Sequence, residues 1–423
     1  MVLVEAMLEM NENIPINIKL FHVNYNMHSK SKIMSDYCLN IAKKHNLEIY
    51  IKDCDSKEFK NTNIESQARE FRYNSLRKIC IKNKINYVLT AHHQDDQIET
   101  IYMAKKNKSS WVSKVGIRSN FFLHNDDNIK VSLIRPMLNI SKENIIQYAS
   151  KNKLTYFDDP TNNDLKFLRN KTRHEIKDKT NDLQFRDKYL TISKDNLLKL
   201  DKIRKQINEQ FYQLIILLKT NDVCVLDKEL LVKENHDFIF LFFKKILREN
   251  FNFNKNLSSD YWQNLHNFIN GSKLGNYFSL NDRIFFSKSQ KNIYIYTNSD
   301  FLVKTKLNDF GNYLFRLGTI SICQSNQFIK FKNKEGICVP LKFKHNLEVD
   351  RWEHGDKCVS SKGKQINVSD IFINNKLSLF HKENYPLLKC LDKIIWIPYL
   401  FCAKIDRIDK SKQYIVLRWN LNL

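Results

Sequence analysis

The stretch Thr90-Ala-His-His-Gln-Asp-Asp-Gln-Ile-Glu-Thr100 sets five ionisable side chains at the meeting point of two local patterns. Before it, Ile85-Asn-Tyr-Val-Leu-Thr-Ala91 is a short β-branched and aromatic run that reads as a covered parallel strand. After it, Ile98, Ile101 and Tyr102 recur at helical spacing. His92 to Asp96 therefore fall where a strand ends and a helix begins. In open α/β sheets ligands bind at that carboxyl edge, and the first helical turn offers free N–H groups to anions. Asp96 and Glu99, three apart on a regular helix, share a face able to clasp an ammonium group.

Two plainer readings compete. Asp95 and Asp96 could simply complement a helix dipole, with the histidines as ordinary end-of-strand residues, although that role does not call for His-His before Asp-Asp. Adjacent His and Asp also suit a metal-dependent phosphoesterase. Such an enzyme needs further His or Asp clusters, and the sequence offers none that convince.

The stretch resembles the His-His-x-Asp-Asp-Gln-x-Glu-Thr signature of tRNA(Ile)-lysidine synthetases, members of the PP-loop ATP pyrophosphatase group. Flanking segments extend the likeness. His22-Val-Asn-Tyr25 is similar to the family's His-Val-Asn-His, with Tyr25 a departure; Gln67-Ala-Arg-Glu-Phe-Arg-Tyr73 carries its Gln-Ala-Arg-x-x-Arg-Tyr. Arg135-Pro-Met-Leu138 matches Arg-Pro-Leu-Leu. Asp159-Pro-Thr-Asn162, followed by Arg169-Asn170 and Arg173, resembles Asp-Pro-[Ser/Thr]-Asn with Arg-Asn-x-x-Arg. Taken singly, these are ordinary features: a strand ending in His, a solvated helix face at Arg69 and Arg72, good turn chemistry in Asp-Pro-Thr-Asn. The likeness is strong over 18–174 and looser beyond, where Arg351-Trp-Glu-His-Gly-Asp356 and Ile394-Ile-Trp-Ile-Pro398 resemble the family's C-terminal domain.

The rest of the chain supplies the frame. Strands are expected at Ile16–Val23, Leu47–Ile51 and Ile129–Ile134, and helices at Ile33–Ala42, from a cap at Asn63, and at Ser141–Lys151. Leu200, Ile203, Ile207, Phe211, Leu214 and Leu218 form a helical core stripe, and Phe238–Leu247 and Tyr261–Ile269 add two more helical segments. Tyr277–Tyr296 alternates like a hairpin around Asn281-Asp282. The resulting fold class is α/β: a parallel-sheet PP-loop nucleotide-binding domain over 1–180, a mainly helical tRNA-binding domain over 181–300, and a strand-rich domain over 301–423 that the resemblance assigns to the tRNA acceptor stem.

One family element is expected to be missing. Only eight glycines occur and the first is Gly116, so no glycine-rich phosphate cradle follows a first strand. The family has Ser-Gly-Gly-x-Asp-Ser there. The chain is expected to begin just after that loop, with Met1–Met10 a helix already under way and the central strand absent.

Composition fits this frame. Across 423 residues, 69 basic against 46 acidic side chains give a net charge of +23, which suits a partner rich in phosphate, although a Lys-, Asn- and Ile-rich composition contributes too. The nine cysteines contain no Cys-x-x-Cys pair, pointing to a reducing compartment and away from the related PP-loop enzymes that thiolate tRNA. The longest apolar runs, such as Phe238–Phe243, are too short to span a membrane, and no basic n-region opens the chain.

The resemblance implies a cytoplasmic ligase that uses ATP and Mg to activate the C2 oxygen of the wobble cytidine in the CAU-anticodon isoleucine tRNA. Free lysine then displaces AMP to leave lysidine, so that the tRNA reads AUA. It implies catalytic roles for Asp95, Asp96 and Glu99, ATP contacts from His22, Arg72, His92 and His93, tRNA contacts from Arg69, Arg135, Arg169 and Arg173, and metal binding by Asp95. A homodimer is compatible with it. The alternative is a tRNA-binding relic without the ATP phosphate loop, and for the chain as it stands little lysidine formation is expected.

Overall fold

The computed structural model describes residues 1–54, 64–126, 128–157, 160–219, 222–255, 257–271, 273–297, 302–360, 363–404 and 413–421. The expected cap at Asn63 and the acids Asp158 and Asp159 lie outside them. The chain divides into two compact units, Met1–Asp201 and Lys202–Leu423.

The first unit runs α1 (Val2–Asn13), β1 (Lys19–Asn24), α2 (Ser31–Lys44), β2 (Glu48–Asp53), α3 (Ile64–Lys82), β3 (Tyr87–Leu89) and α4 (Gln94–Lys106). It continues with β4 (Asn120–Asn125), β5 (Lys130–Ile134), α5 (Lys142–Lys151), α6 (Leu168–Ile176) and most of α7 (Leu183–Leu214). The expected strands and helices are all present with small shifts at their ends. β4 is an addition: Asn120–Asn125 pairs antiparallel with β5, a hairpin the sequence reading did not contain.

The parallel pairing is split. β1 and β2 pair in parallel from Lys19↔Glu48 to Asn24↔Asp53, whereas β3 pairs in parallel with β5 in a separate order β3-β5-β4. Among the described residues no ladder joins the two groups. What they share is a core: Phe21 of β1, Val88 of β3, and Val131 and Leu133 of β5 pack with Leu76 and Cys80 of α3. Strands from both groups therefore pack on one helix, α3.

Behind the strand ends, α4 is anchored by Ile98 and Ile101, both fully buried with Ile176 of α6 and Tyr189 of α7. The i, i+3 spacing puts the two isoleucines on one face, and burying each contributes about 1.5–3 kcal/mol. The opposite consequence of the same periodicity is that Asp96 and Glu99 are carried together on another face.

The second unit begins within α7. The apolar stripe expected to run to Leu218 as helix breaks at Leu214; Leu218 lies on the strand β6 (Ile215–Lys219). β6 joins β7 (Val223–Asp227), β8 (Tyr277–Ser279), β9 (Ile284–Lys288) and β10 (Asn292–Thr297) in a sheet of order β6-β7-β10-β9-β8. The β8–β9 hairpin turns where expected, with Asn281 Oδ1 accepting the backbone N–H groups of Arg283 and Ile284. Helices His236–Phe251 and Ser259–Asn270 match the two expected segments. The remaining strands form two further sheets, and a core including Tyr296, Phe380, Trp396 and Trp419 runs through the unit. Among the described residues no helix is long and apolar enough to cross a membrane.

Candidate functional site

The carboxyl ends of β1 and β3, from separate strand groups, open onto one cleft of about 620 Å³. Its walls are His22 to Tyr25 after β1, Arg69 and Arg72 on α3, Thr90 to His92 after β3, Asp96 on α4, and Arg169 and Arg173 on α6. Charge in the cleft is lopsided. Arg69 and Arg72 share a face of α3, stack on the Tyr73 ring at 4.8 and 5.5 Å, and have no carboxylate within ion-pair distance among the described residues. Burial, with Arg72, Arg135 and Arg169 nearby, pulls the Arg69 pKa down. A polyanion entering the cleft relieves that crowding of positive charge.

The acid pair is arranged differently from what its sequence suggests. Arg169 donates from Nη2 to Asp96 Oδ1 at 3.0 Å and from Nε to Glu99 Oε2 at 3.1 Å. Arg173 repeats the pattern one turn on, with Nε to Glu99 Oε1 at 2.8 Å and Nη2 to Asp96 Oδ1 at 3.2 Å. Asp96 also accepts the backbone N–H of His93 at 3.0 Å, closing the N-terminus of α4. Burial tends to raise its pKa, but His93, that backbone bond and Arg169 outweigh it and hold the carboxyl below its ordinary value of 3.8. The shared face of Asp96 and Glu99 thus does clasp cations, and the cations are Arg169 and Arg173.

His92 lines the cleft and is held from behind. Its Nδ1 lies 3.0 Å from Thr90 Oγ1 and accepts from Arg135 Nε at 3.3 Å. Burial first, then the Arg135 charge, lowers its pKa to about 4, so the ring is neutral at physiological pH. On β1, His22 is half-buried beside Cys38 Sγ at 3.7 Å, and burial lowers its pKa too.

A scaffold underlies these groups. Gln97, buried on α4, donates to Val115 O and to Ser193 Oγ of α7 and accepts the Ile117 N–H. The chain reaches that position through Gly116 at φ +73°, where a Cβ would come within 2.6 Å of Gln97 Oε1.

With this geometry in place, the likeness to known proteins can be set beside it. The model of a PP-loop domain matches residues 1–180. The chain carries a PP-loop domain. The chain is also similar to proteins named tRNA(Ile)-lysidine synthase: 33% identical to one from Lactiplantibacillus plantarum over 37% of this chain and 34% of that protein. The figures are 33% for one from Mesoplasma florum over 48% and 50%, and 25% for one from Lactococcus lactis over 99% and 88%. The match to the first two spans a third to a half of their length. A solved structure called "Crystal structure of TILS C-terminal domain" is 19% identical over 29% of this chain and 99% of that one, with a TM-score of 0.26.

Within the PP-loop domain the expected site residues separate into two groups. His22, Arg69, Arg72, His92, Asp96, Arg169 and Arg173 line the cleft, and Glu99 stands directly behind through its two arginine contacts. Asp95, His93 and Arg135 do not line it. Asp95, expected as a catalytic and metal-holding residue, lies off the cleft lining: its carboxylate accepts the Lys142 N–H at the start of α5 at 2.7 Å and pairs with Arg186 of α7 at 3.1 Å. Among the described residues no group of three His, Cys, Asp or Glu side chains could hold a metal ion.

His93, expected to touch ATP, faces the acids of its own helix, 3.8 Å from Asp95 and 3.5 Å from Asp96. Arg135, expected on the tRNA, is 4% exposed: it donates to Arg118 O at 2.6 Å and stacks over Phe121. Arg169 and Arg173 are drawn inward by the acid pair rather than spread over the surface. Gln97 stood in the quoted signature with no role expected of it, and Arg186 and Ser193 were not read from the sequence as part of the site at all. No local signal marks Arg186, a cation in a long helix whose partner is 91 residues away.

Proposed function

We propose that this chain is a tRNA-modifying ligase that uses ATP to join lysine to C2 of the wobble cytidine in the CAU-anticodon isoleucine tRNA. In that reaction the C2 oxygen attacks the α-phosphorus of ATP and pyrophosphate leaves. The lysine side-chain amine, in its uncharged form, then attacks C2, AMP leaves with the oxygen, and the nitrogen gives up a proton to water. The observation that carries the reading is the pairing, at one cleft of a PP-loop domain, of two arginines without carboxylate partners among the described residues and an acid, Asp96, backed by Glu99 and engaged by cations.

Each substrate has a place in this reading. Arg69 and Arg72 take the phosphates of ATP, with His22 on the β1 side and the neutral His92 on the β3 side. The carboxylates of Asp96 and Glu99 receive the lysine ammonium, which must compete with Arg169 and Arg173. Because the Asp96 pKa is lowered, that carboxylate stays ionised at neutral pH and acts as a holder of charge, not as a proton acceptor. Any Mg arrives with the triphosphate, whose oxygens supply much of its coordination. Asp95 positions α4 against α5 and α7. The basic excess of the chain steers the tRNA, with catalysis assigned to 1–180, tRNA binding to 181–300 and acceptor-stem contacts to 301–423; the setting is the cytoplasm.

The test is AMP release from ATP by the full chain with a CAU-anticodon tRNA transcript. Release should require lysine and should vanish when the wobble cytidine is replaced by uridine. Release that ignores lysine removes the ligase assignment, and tRNA binding with no AMP release leaves a binding protein alone.

A further inference from the structure

The buried arginine behind His92 has a use that its satisfied hydrogen bonds do not explain. Arg135 lies on the segment leaving β5, with its backbone N–H bonded to Ser119 O at 2.7 Å and its Nη1 bonded to Arg118 O. Those contacts and the Phe121 ring are enough to hold it. Its Nε nonetheless turns to His92 Nδ1 at 3.3 Å. A guanidinium nitrogen in a protein only donates, so the imidazole nitrogen it meets must be the acceptor and carry no proton. The Thr90 hydroxyl, 3.0 Å from the same Nδ1, can turn to suit. The ring proton is left on Nε2, which has no partner among the described residues while the ring lines the cleft.

We infer that Arg135 is a positioning residue that fixes His92 as a neutral imidazole presenting an Nε2–H donor to an acceptor oxygen of the substrate held in the cleft. The acceptor class is an oxyanion or carbonyl oxygen, since a neutral donor serves both and the Arg69 and Arg72 charges line the same cleft. The charged groups around the ring are Arg135, Asp96, Arg69 and Arg169. Three are cations, which disfavours a second proton on the imidazole, and Asp96 is engaged by its own arginines. A doubly protonated ring would also turn an Nδ1–H against the Arg135 Nε–H. The inference rests on the reading of the cleft as the substrate site only for what the donor meets; the tautomer stands without it.

The experiment is nitrogen NMR of the full chain labelled on histidine, with the His92 signals assigned by their loss in H92Q. The expected result is an Nε2–H, Nδ1-bare ring that keeps this form from about pH 8 down to about pH 5.5. An Nδ1–H ring, or a ring that titrates near the ordinary histidine value in the unmodified chain, overturns the inference. In R135M the ring should show mixed tautomers and its titration should move up by about one pH unit; an unchanged His92 in a folded R135M also overturns it. Should R135M not fold, the unmodified chain decides alone. Adding ATP reports on the other question: no movement of His92 signals and no ATP binding count against the cleft as substrate site, while the tautomer result stands.

Discussion

Arg169 grips Asp96 at 3.0 Å across the cleft wall, and through its Nε it reaches Glu99 as well. The acid pair is therefore not an open claw. A lysine ammonium has to displace, or sit beside, a guanidinium already paired to it. Substituting Asp96→Ala or Glu99→Ala should raise the lysine concentration needed for AMP release by about tenfold or more, the value of one charge-assisted hydrogen bond. tRNA affinity should change by less than about threefold. Steady-state kinetics in lysine and a tRNA binding isotherm check this, and a larger loss in tRNA affinity than in lysine affinity would reverse the role assignment.

The same ion pairs make stability depend on acid. The folded Asp96 carboxyl titrates below its ordinary 3.8, so the folded state binds this proton less readily than the unfolded chain. Its contribution is complete above the ordinary value and is lost as the pH falls through the lower, folded one. Urea unfolding between about pH 5 and about pH 2 should show that loss, and Asp96→Asn should be less stable at neutral pH but lose less on acidification. An equal acid slope in both proteins would contradict the pairing.

Asp95 and Arg186 should behave as one structural unit. Breaking the pair leaves a part-buried charge and frees the α5 N-terminus, so Asp95→Ala should cost about 1–3 kcal/mol and Arg186→Met a similar amount. The double substitution should cost clearly less than the sum. Additive losses in denaturant unfolding would mean that the 3.1 Å contact carries no coupling.

How far the sequence spoke for the site depended on whether a residue's environment is local. His92, Asp96 and Glu99 were legible because a strand-to-helix switch is written in short-range periodicity, and Ile98 and Ile101 fixed which face of α4 goes inward. Asp95 and Asp96 are neighbours with different fates because adjacent helical residues point about 100° apart, and only packing against α5 and α7 shows which one meets the cleft. Arg135 was expected on the tRNA by resemblance; Arg118 O, Phe121 and His92 cover it, and none of these contacts follows from the run Arg-Pro-Met-Leu. The end of α7 at Leu214 was missed because Leu, Ile and Leu satisfy a strand and a helix stripe equally over five residues.

Gly116 should prove a structural requirement of the site. Its positive φ strains any L side chain, and a Cβ there runs into Gln97, which is held by Val115 O, Ser193 and the Ile117 N–H. Gly116→Ala should destabilise the first unit by about 1–3 kcal/mol. In a Gln97→Ala background the same change should cost less, since only the backbone strain remains. Calorimetry of the four proteins separates the two parts, and an equal cost in both backgrounds would show that Gln97 yields freely.

Arg69 and Arg72 offer the sharpest check of where the phosphates go. Both face the cleft, neither has a carboxylate partner among the described residues, and their mutual repulsion is relieved by an incoming anion. Arg72→Met should weaken ATP binding by about tenfold or more, and Arg69→Met should do the same if both contact phosphate. Protein stability should hold or rise slightly in each variant, because the repulsion between neighbouring cations on α3 is reduced. Calorimetric titration with ATP, run at two salt concentrations, reads both effects. Loss of ATP affinity in neither variant moves the phosphates away from α3; loss only in Arg72→Met leaves Arg69 free to meet the tRNA, and its removal should then flatten the salt dependence of tRNA binding by about one unit of slope.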